Sequence, residues 1–149
     1  MRRLIIVPSK IGDVYRVAAN MRAADAKACV DLGFNPMIGL RMCYKSGIMR
    51  KTVFVDGRIA AMAGLCGNLI SDEGLPYLFT TAAVERAPIA FVKAYLATVD
   101  EMLSMKRSLM VHVAANYHGS IRLLRMAGFS IGDPAPMGTG IFCVARLTR

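Results

Sequence analysis

This chain contains no glycine between Gly74 and Gly119, no C-x-x-C pair, and few acidic residues. It also contains no apolar run near the ~18 residues that a membrane-crossing helix requires, because Arg, Lys, Asp or Gly interrupts each one. The last absence excludes a helical span. Residues 1–8, MRRLIIVP, have a basic head but too few apolar residues for a secretory signal, and they read as a first strand; the expected location is therefore cytoplasm. Cys29, Cys43, Cys66 and Cys143 are scattered in apolar contexts with no Cys/His pair at metal spacing, which reads as buried free thiols and no metal. Nineteen Lys and Arg against ten Asp and Glu leave a net charge of +9. Such a chain attracts polyanions, so weak DNA affinity is expected. The basic residues are dispersed and lack interleaved aromatics, which argues against specific nucleic-acid readout.

What is present is apolar. The hydrophobic set makes up 55% of the 149 residues and the charged set 19%, against averages of roughly 45–50% and about 25%. That length suits one domain, residues 1–149, with some apolar surface covered by a partner or by a second copy of the chain.

The pattern predicts a helix capped by Ser9, with Ile11, Val14, Val17, Ala18 and Met21 on one face, running through Cys29 and ending at Gly33. Asn35-Pro36 starts a second helix that stops at Gly47. Asp56-Gly57 between two β-prone runs predicts a hairpin. A strand over 76–81, an amphipathic helix over 88–105, a strand over 108–114, a short helix over 119–127 and strands over 129–131 and 139–147 complete the order β-α-α-β-β-β-α-β-α-β-β. The expected fold class is α+β, a mixed, mostly antiparallel central sheet flanked by helices. Gly128 is expected at the left-handed end of the last helix, with Phe129 folding back on it. The methionines at helical spacing, Met21, Met42, Met102 and Met105, read as core fillers or an adaptable contact face, with no cofactor role.

This order, with SIRLLRMAGF after the fifth strand, resembles the GNAT superfamily of N-acetyltransferases. More narrowly, MRAADAKACVDLGFNPMIGL, VDGRIAAMAGL, LPYLFTTAAV and FVKAYLATVDEML together look like small acetyltransferase-like bacteriophage proteins, including internal virion proteins of short-tailed phages. The resemblance implies acetyl-CoA as cofactor if the chain is active, bound by backbone donors at Thr80, Thr81 and Ala83, with Arg86 as a phosphate anchor and Asn116 at the mouth of the cleft. One extra residue between Asn116 and Gly128 leaves two readings: Tyr117 takes the asparagine's place, or the loop carries an insertion.

The family's phosphate turn, R/Q-x-x-G-x-G/A, uses glycines so that backbone N–H groups approach a diphosphate. The matching stretch here is VERAPIAF, where Ile89 and Phe91 replace small residues and Pro88 removes a donor. The tyrosine that follows the leucine in the family's last helix is Leu124. The strand over 76–81 holds no carboxylate, and Glu73 and Glu85, outside it, read as solvated loop charges. Tyr117 and His118 are the candidate acid or base, and His112 reads as a histidine on a strand face. The resulting expectation is an acetyltransferase-fold protein that has lost acetyl-CoA chemistry and binds virion proteins or a host protein, in the virion or the host cytoplasm. The alternative is an active N-acetyltransferase acting on an amine.

Overall fold

The computed structural model describes residues 3–68 and 70–149. Met1 and Arg2 lie outside them, and the expected first strand is seen as β1, Leu4–Pro8. There follow α1 (Ile11–Ala19), α2 (Ala23–Asp31), α3 (Pro36–Ser46), β2 (Gly47–Val55), β3 (Arg58–Cys66) and β4 (Glu73–Thr80). A 3-10 helix (Ala82–Arg86) leads into α4 (Pro88–Met105), β5 (Ser108–Ala114), α5 (His118–Met126), β6 (Ser130–Ile131), β7 (Ala135–Met137) and β8 (Gly140–Thr148).

The fold is α+β, built on one mostly antiparallel sheet of order β1-β2-β3-β4-β5-β8-β6, with β7 on β8. β3 is buried from both sides: Ala61 and Leu65 join the core that holds Tyr95, Val99 and Met102 of α4, while Met62 joins Val14, Val17 and Leu40 of α1 and α3. Local chemistry accounts for several boundaries. Asn35 Oδ1 accepts the Met37 amide (3.0 Å) at the start of α3, and Asp56 and Gly57 turn the β2–β3 hairpin at φ 51° and 79°. At the end of α5, Gly128 (φ 100°) donates to the Arg125 carbonyl and Phe129 to that of Leu124, both at 3.0 Å. This is the Schellman arrangement, and it buries Phe129.

Four expectations are corrected. The single helix expected from the Ser9 cap to Gly33 is two helices, because the backbone at residues 20–22 turns to bond the end of β4: Met21 bridges Thr81, and the Arg22 amide donates to the Thr80 carbonyl (2.9 Å). Ser9 does not cap α1; its Oγ lies 2.8 Å from Thr52 Oγ1, and Asp13 accepts the Lys10 amide instead (2.9 Å). Glu73 lies inside β4 and pairs with Arg146 (3.0 Å). β7 is an added strand, in the stretch between the two strands expected over 129–131 and 139–147. Among the described residues no helix is long and apolar enough to cross a membrane.

Candidate functional site

Among the described residues β4 and β5 are the one parallel pair of neighbours, and they pair only at Glu73↔Ser108 and Gly74↔Leu109. Beyond that point Pro76 has no N–H to offer and the strands part. Two cavities open along the parting and share Asp25, Leu78, Tyr117 and Ser120. One, of about 290 Å³, lies toward α2 and α3 and is mainly apolar, with Phe34, Met42, Tyr77 and His112 in its lining. The other, of about 320 Å³, lies between the start of α4 and the start of α5, with Arg22, Thr80, Glu85 and Arg122 in its lining.

A polar cluster joins the two cavities. Arg22 reaches across the parting: Nε donates to Thr80 Oγ1 (2.7 Å), one Nη to Glu85 (3.3 Å) and the other to the Tyr117 hydroxyl (3.0 Å). Asp25 Oδ2 accepts both the Thr80 amide (2.8 Å) and the Thr80 hydroxyl (2.6 Å). Asp25 is only 8% exposed, and its charge is tolerated because those donors replace water. Burial, and then the Asp25 carboxylate, push the Tyr117 hydroxyl above the ordinary tyrosine range, with the Arg22 guanidinium opposing.

Of the residues expected from the sequence, the fold brings Thr80 and Tyr117 together at the junction. Arg86, Asn116 and His118 are exposed and line neither cavity. Asn116 lies in the turn before α5, so the residue that faces the cleft after β5 is Tyr117. The backbone donors expected to hold a pantetheine arm are already bonded: the Thr80 amide to Asp25, the Thr81 amide to the Ala60 carbonyl (2.8 Å) and the Ala83 amide to Thr81 Oγ1 (3.3 Å). Arg22 and Asp25 were not foreseen as site residues. Asp25 carries a readable signal, since it shares the buried face of α2 with Cys29 four residues on, and an acid on an apolar face requires partners.

The start of α4 does not fit a diphosphate held in the family's manner. The segment that would cradle it is wound into a 3-10 helix and closes its own donors: Val84 N bonds Thr81 O (3.2 Å) and Ala87 N bonds Val84 O (3.3 Å). Pro88 contributes none, and the Ile89 side chain, 73% exposed, stands at the helix start. Only the Ile89 and Ala90 amides remain in the first turn of α4.

The cysteines are free thiols, Cys29 and Cys143 buried, Cys43 and Cys66 half-buried, with Cys66 Sγ 3.4 Å from the Cys43 carbonyl. Among the described residues no three His, Cys, Asp or Glu side chains gather as a metal site would need.

No family model and no curated protein matches the chain. Solved structures do match in fold. The GNAT-family acetyltransferase of Streptococcus pneumoniae superposes with a TM-score of 0.68 at 12% identity, covering 98% of this chain and 99% of that one. An N-acetyltransferase of Staphylococcus aureus Mu50 gives 0.69 at 13%, covering 98% of each chain. The yncA protein of Salmonella typhimurium, solved with its cofactor acetyl-CoA, gives 0.66 at 15%, covering 97% and 93%. At these identities the likeness establishes the fold, that of the GNAT acetyltransferases, and activity is a separate question.

Proposed function

We propose that this chain is a binding protein on an acetyltransferase fold, without the ordinary acetyl-CoA reaction, and that its partner is another virion component or a host protein. The observation that carries the first half is the self-bonded 3-10 segment followed by Pro88, which leaves a diphosphate two backbone donors where the family's turn offers a nest of them. The second half follows the sequence resemblance to short-tailed-phage proteins, together with a 55% apolar, +9 composition suited to burial against other chains. The test is calorimetric titration with acetyl-CoA, and proteomics of purified particles for the protein at fixed copy number. Tight coenzyme binding with turnover on an amine overturns the proposal.

A second reading, an active N-acetyltransferase, is favoured by the Tyr117 hydroxyl at the junction of two cavities, where a leaving thiolate and an acceptor would meet. On that reading acetyl-CoA stabilises the fold by mass action, about 2.7 kcal/mol at a hundredfold excess over Kd. An unchanged Tm at millimolar acetyl-CoA removes it.

A further inference from the structure

The outer face of α3 combines two features that each call for a partner. Met37, Ile38 and Met42 are 38%, 54% and 49% exposed, and Phe34, 42% exposed, stands just before the helix. Arg41 and Lys45, both exposed, lie among them. At about 100° per residue, the two cations fall between Met37 on one side and Ile38 with Met42 on the other. Neither cation has an acidic partner among the described residues, and the sequence from residue 32 to residue 55 contains no Asp or Glu. Arg50 adds a further cation nearby, stacked over Tyr44 at 4.7 Å. Phe34 and Met42 also line the apolar cavity, so this face continues into a hole of about 290 Å³.

From this geometry we infer that α3 is a docking face for an acidic amphipathic helix of a partner protein. The partner's apolar stripe lies on Met37, Ile38 and Met42, its carboxylates meet Arg41 and Lys45, and one large apolar side chain enters the cavity past Phe34. Flexible methionines suit such a helix-in-groove contact. A bilayer is a poorer occupant: inserting this face would carry Arg41 and Lys45 into the acyl region along with the methionines, whereas a protein can set a carboxylate opposite each. Nucleic acid would answer the charge and leave the apolar side chains against phosphate.

The inference names the face used by the partner proposed above and rests on that binding reading. It is tested with the full chain and three probes: a fluorescent helical peptide with Leu at i, i+3, i+4 and i+7 and Glu elsewhere, the same peptide with Lys for Glu, and vesicles of mixed neutral and anionic phospholipid. The Glu peptide is expected to saturate and the Lys peptide not. Arg41→Glu with Lys45→Glu should weaken binding about tenfold, while Arg107→Glu with Arg125→Glu, an equal change in net charge elsewhere, stays within about threefold. Failure of the Glu peptide to saturate below about millimolar, equal weakening in both double variants, or vesicle binding in place of peptide binding overturns the inference. Acetyl-CoA is titrated into the same samples. Loss of peptide binding without coenzyme binding removes the face alone, and coenzyme turnover removes the functional reading and leaves the peptide result standing.

Discussion

Asp25→Ala is the most informative single change, because Asp25 lines both cavities and holds the end of β4 through one oxygen. Its Oδ2 accepts two hydrogen bonds from Thr80, at 2.8 and 2.6 Å, and Thr80 is itself 2% exposed. Truncation leaves the Thr80 amide without a partner. Hydrogen bonds to a charged group contribute about 1.5–3 kcal/mol each. The expected loss is therefore about 4 kcal/mol, or a fall in Tm of about 10 °C at roughly 2–4 °C per kcal/mol for a chain of this size. Asp25→Asn keeps an acceptor for the amide and should cost about 1–2 kcal/mol. Thermal melts followed by circular dichroism at neutral pH read both, and a double-mutant cycle with Thr80→Val should return a coupling of at least about 1 kcal/mol. An alanine variant that melts with the asparagine variant, or within about 2 °C of the unsubstituted chain, would refute the assignment of Asp25 as the clasp.

Three further outcomes are expected. A Cβ at Gly64 would stand 2.3 Å from the Met49 carbonyl oxygen and 2.5 Å from the Tyr77 ring, so Gly64→Ala should lower stability by about 3 kcal/mol in a urea titration, and a midpoint left unchanged would contradict that packing. Phe129→Ala empties a site 4% exposed behind the end of α5 and should cost about 3–5 kcal/mol, read by the same titration. Burial pushes Tyr95 up to about 12 and raises Tyr117 as well, so folding favours their neutral phenols; this stabilisation is complete below about pH 10 and is lost as pH rises through the folded values. Tm should therefore fall steadily above about pH 10, and tyrosinate absorbance should appear with unfolding; a flat Tm through that range refutes it.

Much of the fold was legible where a residue's neighbours in sequence are also its partners in space. The Asn35-Pro36 start, the Asp56-Gly57 hairpin, the whole of α4 and the Gly128-Phe129 terminus each rest on bonds closed within a few residues. The site was only partly legible. Tyr117, read as a candidate because it follows β5, lines both cavities, whereas Arg86 and Asn116, expected from the family resemblance, face solvent, and the Thr80 amide, expected from the same resemblance as a backbone donor, is bonded to Asp25. The break between α1 and α2 gave no warning, because residues 20–22 are helix-compatible and turn aside only where β4 offers a bridge to Met21 and a carbonyl to Arg22.

By itself the sequence determined the order of most elements, the Asp56-Gly57 hairpin, the Gly128 helix end, and a stretch from Gly74 to Gly119 with no glycine to wrap a diphosphate. Tertiary structure alone decided that Arg22 and Asp25 meet Thr80 and Tyr117, across separations of 55 to 95 residues. It also decided that the donors at the end of β4 bond within the chain. The reason is physical: a backbone amide or buried carboxylate takes whichever partner the packed chain brings within reach, and local sequence pattern carries no record of partners that distant.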